Sequence, residues 1–311
     1  MFSMLVTSAS GVLALVAATG RASSATIRAS AEGPSPPLLI IGAGVLGRLA
    51  ADEWRSGVLS GGAESCGEVI GVTRKADEAR DADLRALGIT PRIRSDIDAK
   101  GAEGARWPYV LFCASPGGND DYAASVADAL KLWDAESNGR FVFTSSAGVY
   151  AEDSGGVVTE GSPTGSGPRS ERLLNAEKAV VEAGGTVVRL AGLYLEDRGA
   201  HNYWLTQDEV AQRPGGLINQ IHYQDAAAAA VAALFRGKPG DVLLAADDAP
   251  MTREDICRAA TRMRRFAGKG VPRFTGSSGG VGKIIDCSHT RDAIGWEPRF
   301  KTFDAFADSV S

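Results

Sequence analysis

The chain has 311 residues, a formal charge of -5 and a 44% hydrophobic composition rich in glycine and alanine. That length can bury one large core or two modest ones, and the mild acidity gives no reason to expect a nucleic-acid or membrane partner. The four cysteines (Cys66, Cys113, Cys257, Cys287) and three histidines (His201, His222, His289) are scattered, so they read as reduced and mostly buried, with neither a disulfide framework nor a metal site.

The first thirty residues, MFSMLVTSASGVLALVAATGRASSATIRAS, contain no Asp or Glu and two arginines, Arg21 and Arg28. An acid-poor, hydroxyl-rich, sparsely basic segment predicts a removed transit peptide over 1–33, plastid before mitochondrion. Its apolar stretch, 12–18, is too short to cross a bilayer. A secretory signal is the weaker alternative, because no positive charge precedes that stretch. A tail without an address is the other alternative. The fold is expected over 34–311.

From residue 37 short apolar strands alternate with helical stretches. PPLLIIG is a buried strand and 45–55 a helix; 67–73 (GEVIGVT) is the second strand, 77–87 a helix, 90–94 the third strand. YVLFCA (109–114) is the fourth strand, followed by an amphipathic helix over 121–134 and a fifth strand, RFVFT (140–144). A polar loop is expected over 152–170, then a helix over 170–183 and a sixth strand, TVVRL (186–190). This alternation predicts an α/β fold of the Rossmann type, a doubly wound parallel sheet covered on both faces.

The stretch LLIIGAGVLGR (38–48) then gains meaning. A GxGxxG that directly follows a buried strand and opens a helix is a dinucleotide fingerprint. Gly42 permits the tight turn, Gly44 lets the backbone approach a pyrophosphate, and Gly47 lets helix and strand pack closely. The anion would rest on the first amides of that helix, at Val45 and Leu46. At the end of the second strand, where an NAD site usually carries an acid, the chain reads GVTRK. Thr73, Arg74 and Lys75 suit a 2′-phosphate, so NADP is expected before NAD. Asp96, after the third strand, is the candidate acceptor for an adenine amino group.

FVFTSSAGVYAEDSG (141–155) places a hydroxyl cluster at the end of a parallel strand, and its frame excludes a serine-hydrolase elbow. With GAGVLG, VVRLAGLY (187–194), NQIHYQDAAAAAVAAL (219–234), DVLLAADDAPMTREDICR (241–258) and IGWEPRF (294–300), the chain resembles extended short-chain dehydrogenase/reductases, in particular the NAD-dependent epimerase/dehydratase-like branch. The resemblance covers about 38–308. It implies an NAD(P)-binding domain with a small substrate lobe mainly from 195–311, a small-molecule substrate and a homodimer through the helices at 121–134 and 170–183. It also puts Ala114 and Ser115, at the end of the fourth strand, in the cofactor set.

The departure from that family is local. Its catalytic set is a Ser or Thr followed by Tyr-x-x-x-Lys, in which Lys lowers the Tyr pKa. Ser146 matches the hydroxyl, but GPRSERLLNAEKAVVEAG has no tyrosine. Aligning Glu177 with the family's acid puts Arg169 at the Tyr position and Leu173 at the Lys position. Tyr150 is then the candidate substitute acid, with Tyr194, His201 and Tyr203 as further candidates beyond the sixth strand, and Arg189, which closes that strand, is a candidate contact for an anion. Arg169 and Arg172 are candidate anion contacts. Asp225 is expected to cap the helix of five alanines that it precedes. GSSGGVGKI (276–284) fails as a phosphate loop, since Ser277 and Ile284 stand where glycine and a hydroxyl are required, which leaves Lys283 a loop lysine.

The resulting expectation is an atypical NADP-dependent oxidoreductase or epimerase acting on a small, nucleotide-sugar-like metabolite. The alternative is a catalytically inactive NADP-binding sensor or scaffold. A nucleic-acid-associated protein is a third reading, opposed by the acidic charge.

Overall fold

Leu38–Ile41 (β1) is an unbroken apolar run in which every side chain is buried. Such a strand fits the middle of a parallel sheet covered on both faces. The computed structural model describes residues 35–57 and 67–311, so the expected targeting segment lies outside the described residues. β1 is followed by α1 (Val45–Ser56), β2 (Val69–Thr73), α2 (Glu78–Ala86), β3 (Ile89–Ile93), α3 (Arg94–Ala102), β4 (Tyr109–Phe112), α4 (Tyr122–Leu130) and β5 (Phe141–Ser146). Then come β6 (Ser154–Val158), α5 (Pro168–Glu182), β7 (Thr186–Leu190), β8 (Gly192–Tyr194), α6 (Ala200–Trp204), β9 (Glu209–Val210), β10 (Leu217–Ile218) and β11 (Gln220–His222). The chain continues with α7 (Tyr223–Arg236), β12 (Val242–Ala245), β13 (Met251–Thr252), α8 (Arg253–Ala260), β14 (Arg273–Phe274), β15 (Gly282–Ile285), α9 (Ser288–Ile294) and α10 (Phe303–Ser309).

Seven strands form the central parallel sheet in the order β12-β7-β5-β4-β1-β2-β3. The chain runs from β1 out to β3, then returns to the other side of β1 through β4. The order therefore reverses between β1 and β4, the position at which open α/β sheets bind ligands beyond their strand ends. One face of the sheet is covered by α1, α2 and α7, the other by α3, α4 and α5. Alanines 226–230 bury completely in α7, and such small side chains let it lie close to α1. Trp54 stacks on Phe235 across those helices, with ring centroids 4.9 Å apart. A third core, built on Tyr194, Trp204, Ile256, Phe303 and Phe306, belongs to the C-terminal lobe. Among the described residues no helix is long and apolar enough to cross a membrane.

The structure revises several local expectations. β5 extends to Ser146, and α4 stops at Leu130, with Asp121 accepting a hydrogen bond from Ala124 N as its cap. α3 follows β3 without a break and without a side-chain cap, so it carries no start signal in the sequence. The loop expected over 152–170 contains β6, which pairs in parallel with the distant β15. Asp225 does not cap α7: His222 does, accepting from Gln224 N, because the helix begins three residues earlier than the alanines suggest. Asp225 is fully buried and accepts from the backbone N–H groups of Arg299 and Phe300, fastening the IGWEPRF segment to α7.

Candidate dinucleotide site

A cleft of about 1110 Å³ opens at the switch point, where β1 passes into Gly42 and β4 into Cys113. The three fingerprint glycines are required for three different reasons. Gly42 has φ +105°, and a Cβ there would lie 2.4 Å from the Ala114 nitrogen. A Cβ on Gly47 would lie 2.6 Å from the Gly42 carbonyl oxygen and 2.9 Å from Ile40 Cγ2, so only glycine lets α1 approach β1. A Cβ on Gly44 would meet no protein atom within 4 Å, yet Gly44 lines the cleft with Val45 and Leu46. Its missing side chain leaves room for a ligand rather than for the protein.

Gly44 is also the N-cap of α1, with no side chain closing that end and no acid in the first turn. By contrast, α2, α4, α8 and α10 are each closed by an Asp or Thr side chain. The first amides of α1 thus remain available to an anion in the cleft, where the helix dipole favours negative charge. Of the expected cofactor residues, Gly42, Gly44, Val45, Leu46, Thr73, Arg74, Ala114 and Ser115 all line the cleft. Gly47 lies beneath it in the packing role already described. Asp96 is exposed on α3 and does not line it; Asp98, two residues on, does.

One end of the cleft is basic. Arg74, Lys75, Arg80 and Arg94 gather beyond β2 and β3. Asp98 is held by Arg94 at 2.6 Å, and Arg80 is paired with Asp81 at 3.0 Å. Arg74 reaches across the cleft and donates to the carbonyls of Gly117 (2.8 Å) and Gly118 (2.9 Å) beyond β4. These acceptors are neutral, so among the described residues no carboxylate pairs with Arg74 or with exposed Lys75. Arg80 and Arg94 lie too far from the fingerprint in sequence to be read as part of it.

The other end is mainly apolar, walled by Leu173, Leu190 and Leu193 with Thr144, Tyr223 and Arg198. Leu173, which the resemblance sets at the lysine position, lines this wall, and Arg169, which it sets at the tyrosine position, is exposed and does not. Ser146 and Tyr150, the expected catalytic residues, are not brought into the lining. Ser146 Oγ accepts from Gly148 N at 3.1 Å and caps the short turn after β5. Tyr150 is buried; its hydroxyl donates to the Glu160 carbonyl at 3.3 Å, and burial pushes its phenol up. Cys113 lines the cleft, but its thiol donates to the Gly42 carbonyl and burial pushes it up to about 12, which leaves no nucleophile.

Behind the cleft wall, Arg189 faces no external anion. It forms a buried ion pair with Glu177, Nη2 to Oε2 2.7 Å, beneath which Ser145 donates to the same carboxylate. The Arg189 guanidinium also lies 4.9 Å from the Tyr150 ring centre. Tyr194 and His201 are fully buried in the C-terminal lobe, and Tyr203 is exposed. His201 is lowered by burial and approaches the Glu196 carbonyl. Arg172 donates to the Pro116 carbonyl, and Lys283 to that of Tyr150.

Solved structures with the same architecture cover most of the chain. A functionally unknown conserved protein from Silicibacter pomeroyi aligns at 20% identity over 89% of this chain and 98% of its own, with a TM-score of 0.65. UDP-glucuronic acid 4-epimerase from Bacillus cereus, in complex with NAD, aligns at 16% identity over 88% and 96% of the two chains, TM-score 0.68. dTDP-glucose 4,6-dehydratase from Bacillus anthracis, also with NAD, aligns at 14% identity over 89% and 95%, TM-score 0.68. The chain has the fold of an extended short-chain dehydrogenase/reductase. At these identities the likeness concerns the fold. No protein-family model matches the sequence, and no curated protein does.

Proposed function

We infer that the cleft binds a nicotinamide dinucleotide, NADP in preference to NAD, and that the protein uses it as an oxidoreductase or epimerase on a small, nucleotide-sugar-like metabolite. The observation that carries this reading is Gly44, whose absent side chain leaves open space above an uncapped helix N-terminus at the sheet's switch point. A pyrophosphate fits there, held by the amides of Val45 and Leu46. The preference for NADP is supported by Arg74 and Lys75, which stand where an NAD site places an acid. When bound, such a group supplies or accepts hydride; the chain contributes the cradle, the basic end and the apolar wall of Leu173, Leu190 and Leu193. The substrate class is carried over from the nucleotide-sugar enzymes that share the fold.

Leu173 in place of the family lysine supports the second reading, a dinucleotide-binding protein without turnover. Calorimetric titration of the full chain with NADP and with NAD tests the common part. Micromolar binding of NADP with weaker binding of NAD is the expected result; heats indistinguishable from dilution for both would end the reading.

A homodimer through α4 and α5 belongs to the same proposal. Their exposed residues include Asp128, Arg169, Arg172 and Lys178, and none of the strongly exposed large apolar side chains lies on either helix. Elution as a monomer at micromolar concentration would remove it. Plastid delivery by 1–33 is likewise proposed, and is tested by fusing that segment to a fluorescent reporter.

A further inference from the structure

Two tyrosines line the cleft, Tyr122 and Tyr223, and they differ in what holds their hydroxyl groups. Tyr122 is deeply buried and donates to the Ala114 carbonyl at 2.8 Å, which commits its proton. Tyr223 is the half-buried first residue of α7; it follows β11, which pairs in parallel with β8, so the turn carrying Arg198 leaves the same strand ends, and both side chains line the cleft. Leu173, Leu190 and Leu193 line the same cleft. Burial raises the Tyr223 phenol, and Arg198 draws it back down. A phenol in an apolar wall with a cation against its oxygen has the two properties required of a proton-transfer tyrosine: the neutral form is stable, and the phenolate has a partner. Arg198 is itself exposed, so that partner sits at the solvent rim.

We propose that Tyr223 is the proton-transfer residue of this cleft and Arg198 its positioning cation, a pair that substitutes for the missing Tyr-x-x-x-Lys from outside α5. The proposal rests on the dinucleotide reading above. A reduced nicotinamide held in the cleft would supply hydride to a substrate carbonyl carbon, whose C=O π pair would move onto oxygen. That oxygen takes the Tyr223 Oη proton, forming the alcohol. The Tyr223 phenolate, facing Arg198, regains a proton from water at the rim. Oxidation of a secondary alcohol runs the same path backwards. The substrate class is therefore a small molecule with a carbonyl or secondary hydroxyl group that reaches past Leu193.

The test is titration of the protein carrying ¹³Cζ-labelled tyrosine, with the Tyr223 resonance assigned by Tyr223→Phe. Arg198→Gln is expected to raise the Tyr223 midpoint by about 1 pH unit or more, and Arg198→Lys to return it toward the wild-type value. A Tyr223 midpoint indifferent to both substitutions would overturn the proposal. In a second arm, reduced NADP is offered with a panel of small ketones and aldehydes. Tyr223→Phe is expected to lower turnover on the order of a hundredfold or more while leaving NADP affinity within about twofold. Turnover at the wild-type level in Tyr223→Phe would also overturn it, and the titration decides if no compound of the panel is reduced. Wild-type protein that binds no dinucleotide ends the underlying reading and this proposal together; binding with an indifferent Tyr223 ends this proposal alone.

Discussion

Arg189 at the end of β7 and Glu177 in the middle of α5 form an ion pair that is almost wholly buried, with Nη2 2.7 Å from Oε2 and Nε 3.2 Å from both carboxylate oxygens. The pair ties the helix that carries the altered catalytic positions to the strand that forms the cleft's apolar wall. Breaking a buried pair from one side leaves an uncompensated charge, which typically costs about 3–5 kcal/mol. Arg189→Met alone should therefore lower stability by about that amount in chemical denaturation. The double variant Arg189→Met/Glu177→Leu should recover most of the loss, and a double variant as unstable as the single one would show that the charges were not coupled.

The glycines of the fingerprint should separate by phenotype. Gly42→Ala places a methyl on the Ala114 backbone at a positive φ, so it should cost on the order of 1–3 kcal/mol of stability. The Cβ of Gly44→Val meets no protein atom within 4 Å, and Gly44 has φ -83°, outside the left-handed region that would require glycine. The substitution should leave the melting temperature of the free protein within a degree or two and abolish dinucleotide binding. Thermal unfolding and calorimetry of the two variants check both halves.

The basic end of the cleft should set the choice of dinucleotide. Hydrogen bonds to a charged group contribute about 1.5–3 kcal/mol, so Arg74→Ala should weaken NADP by roughly 10- to 100-fold while changing NAD little. Arg74→Asp should reverse the preference, because the new carboxylate accepts from the ribose hydroxyls and repels the 2′-phosphate. Equal losses for both dinucleotides would instead assign Arg74 to the loop contacts it makes with Gly117 and Gly118.

Asp247 gives the C-terminal lobe a pH dependence. Burial pushes its carboxyl up to about 8, and the nearby carboxylates of Asp248 and Asp225 push the same way. The folded chain thus holds this proton more tightly than the unfolded chain, whose Asp has the ordinary value of 3.8. Its contribution is complete below about 4 and is lost as pH rises through about 8, at up to ~1.4 kcal/mol per pH unit. His222 acts on the acid side: burial lowers it to about 4, so its contribution is lost as pH falls from 6.5 toward 4. Above pH 6.5 the Asp247 effect stands alone of the two. The wild-type melting temperature should fall between pH 6.5 and 8.5, and Asp247→Asn should flatten that slope; parallel slopes would refute the assignment.

Much of the fold could be read from the chain because the signals were local. A four-residue apolar run ending on Gly42, repeated strand–helix alternation, and acids before the helices at Asp77 and Asp121 each act within a few residues. The open N-terminus of α1 at Gly44 was legible for the same reason. Arg80 and Arg94 were not, because only the pairing of β2 with β3 brings them to one rim. β6 was missed because its partner β15 lies more than a hundred residues away and Ser154–Val158 is glycine-rich. Tyr150 stood beside a matching hydroxyl in the sequence, but the chain turns after Ser146 and buries its ring against Arg189. Tyr223 carried no signal: it lies in a stretch marked by five alanines, and its partner Arg198 is on a different element.

Thermal unfolding of the wild-type protein and of Gly44→Val, each with NADP, with NAD and without ligand, tests the central claim most directly. A ligand bound only by the folded state stabilises by about 2.7 kcal/mol at a hundredfold excess over its dissociation constant. The account predicts a clear upward shift of the wild-type transition with NADP, a smaller one with NAD, and none in Gly44→Val. An unshifted wild-type transition, or an equal shift in both proteins, would contradict it.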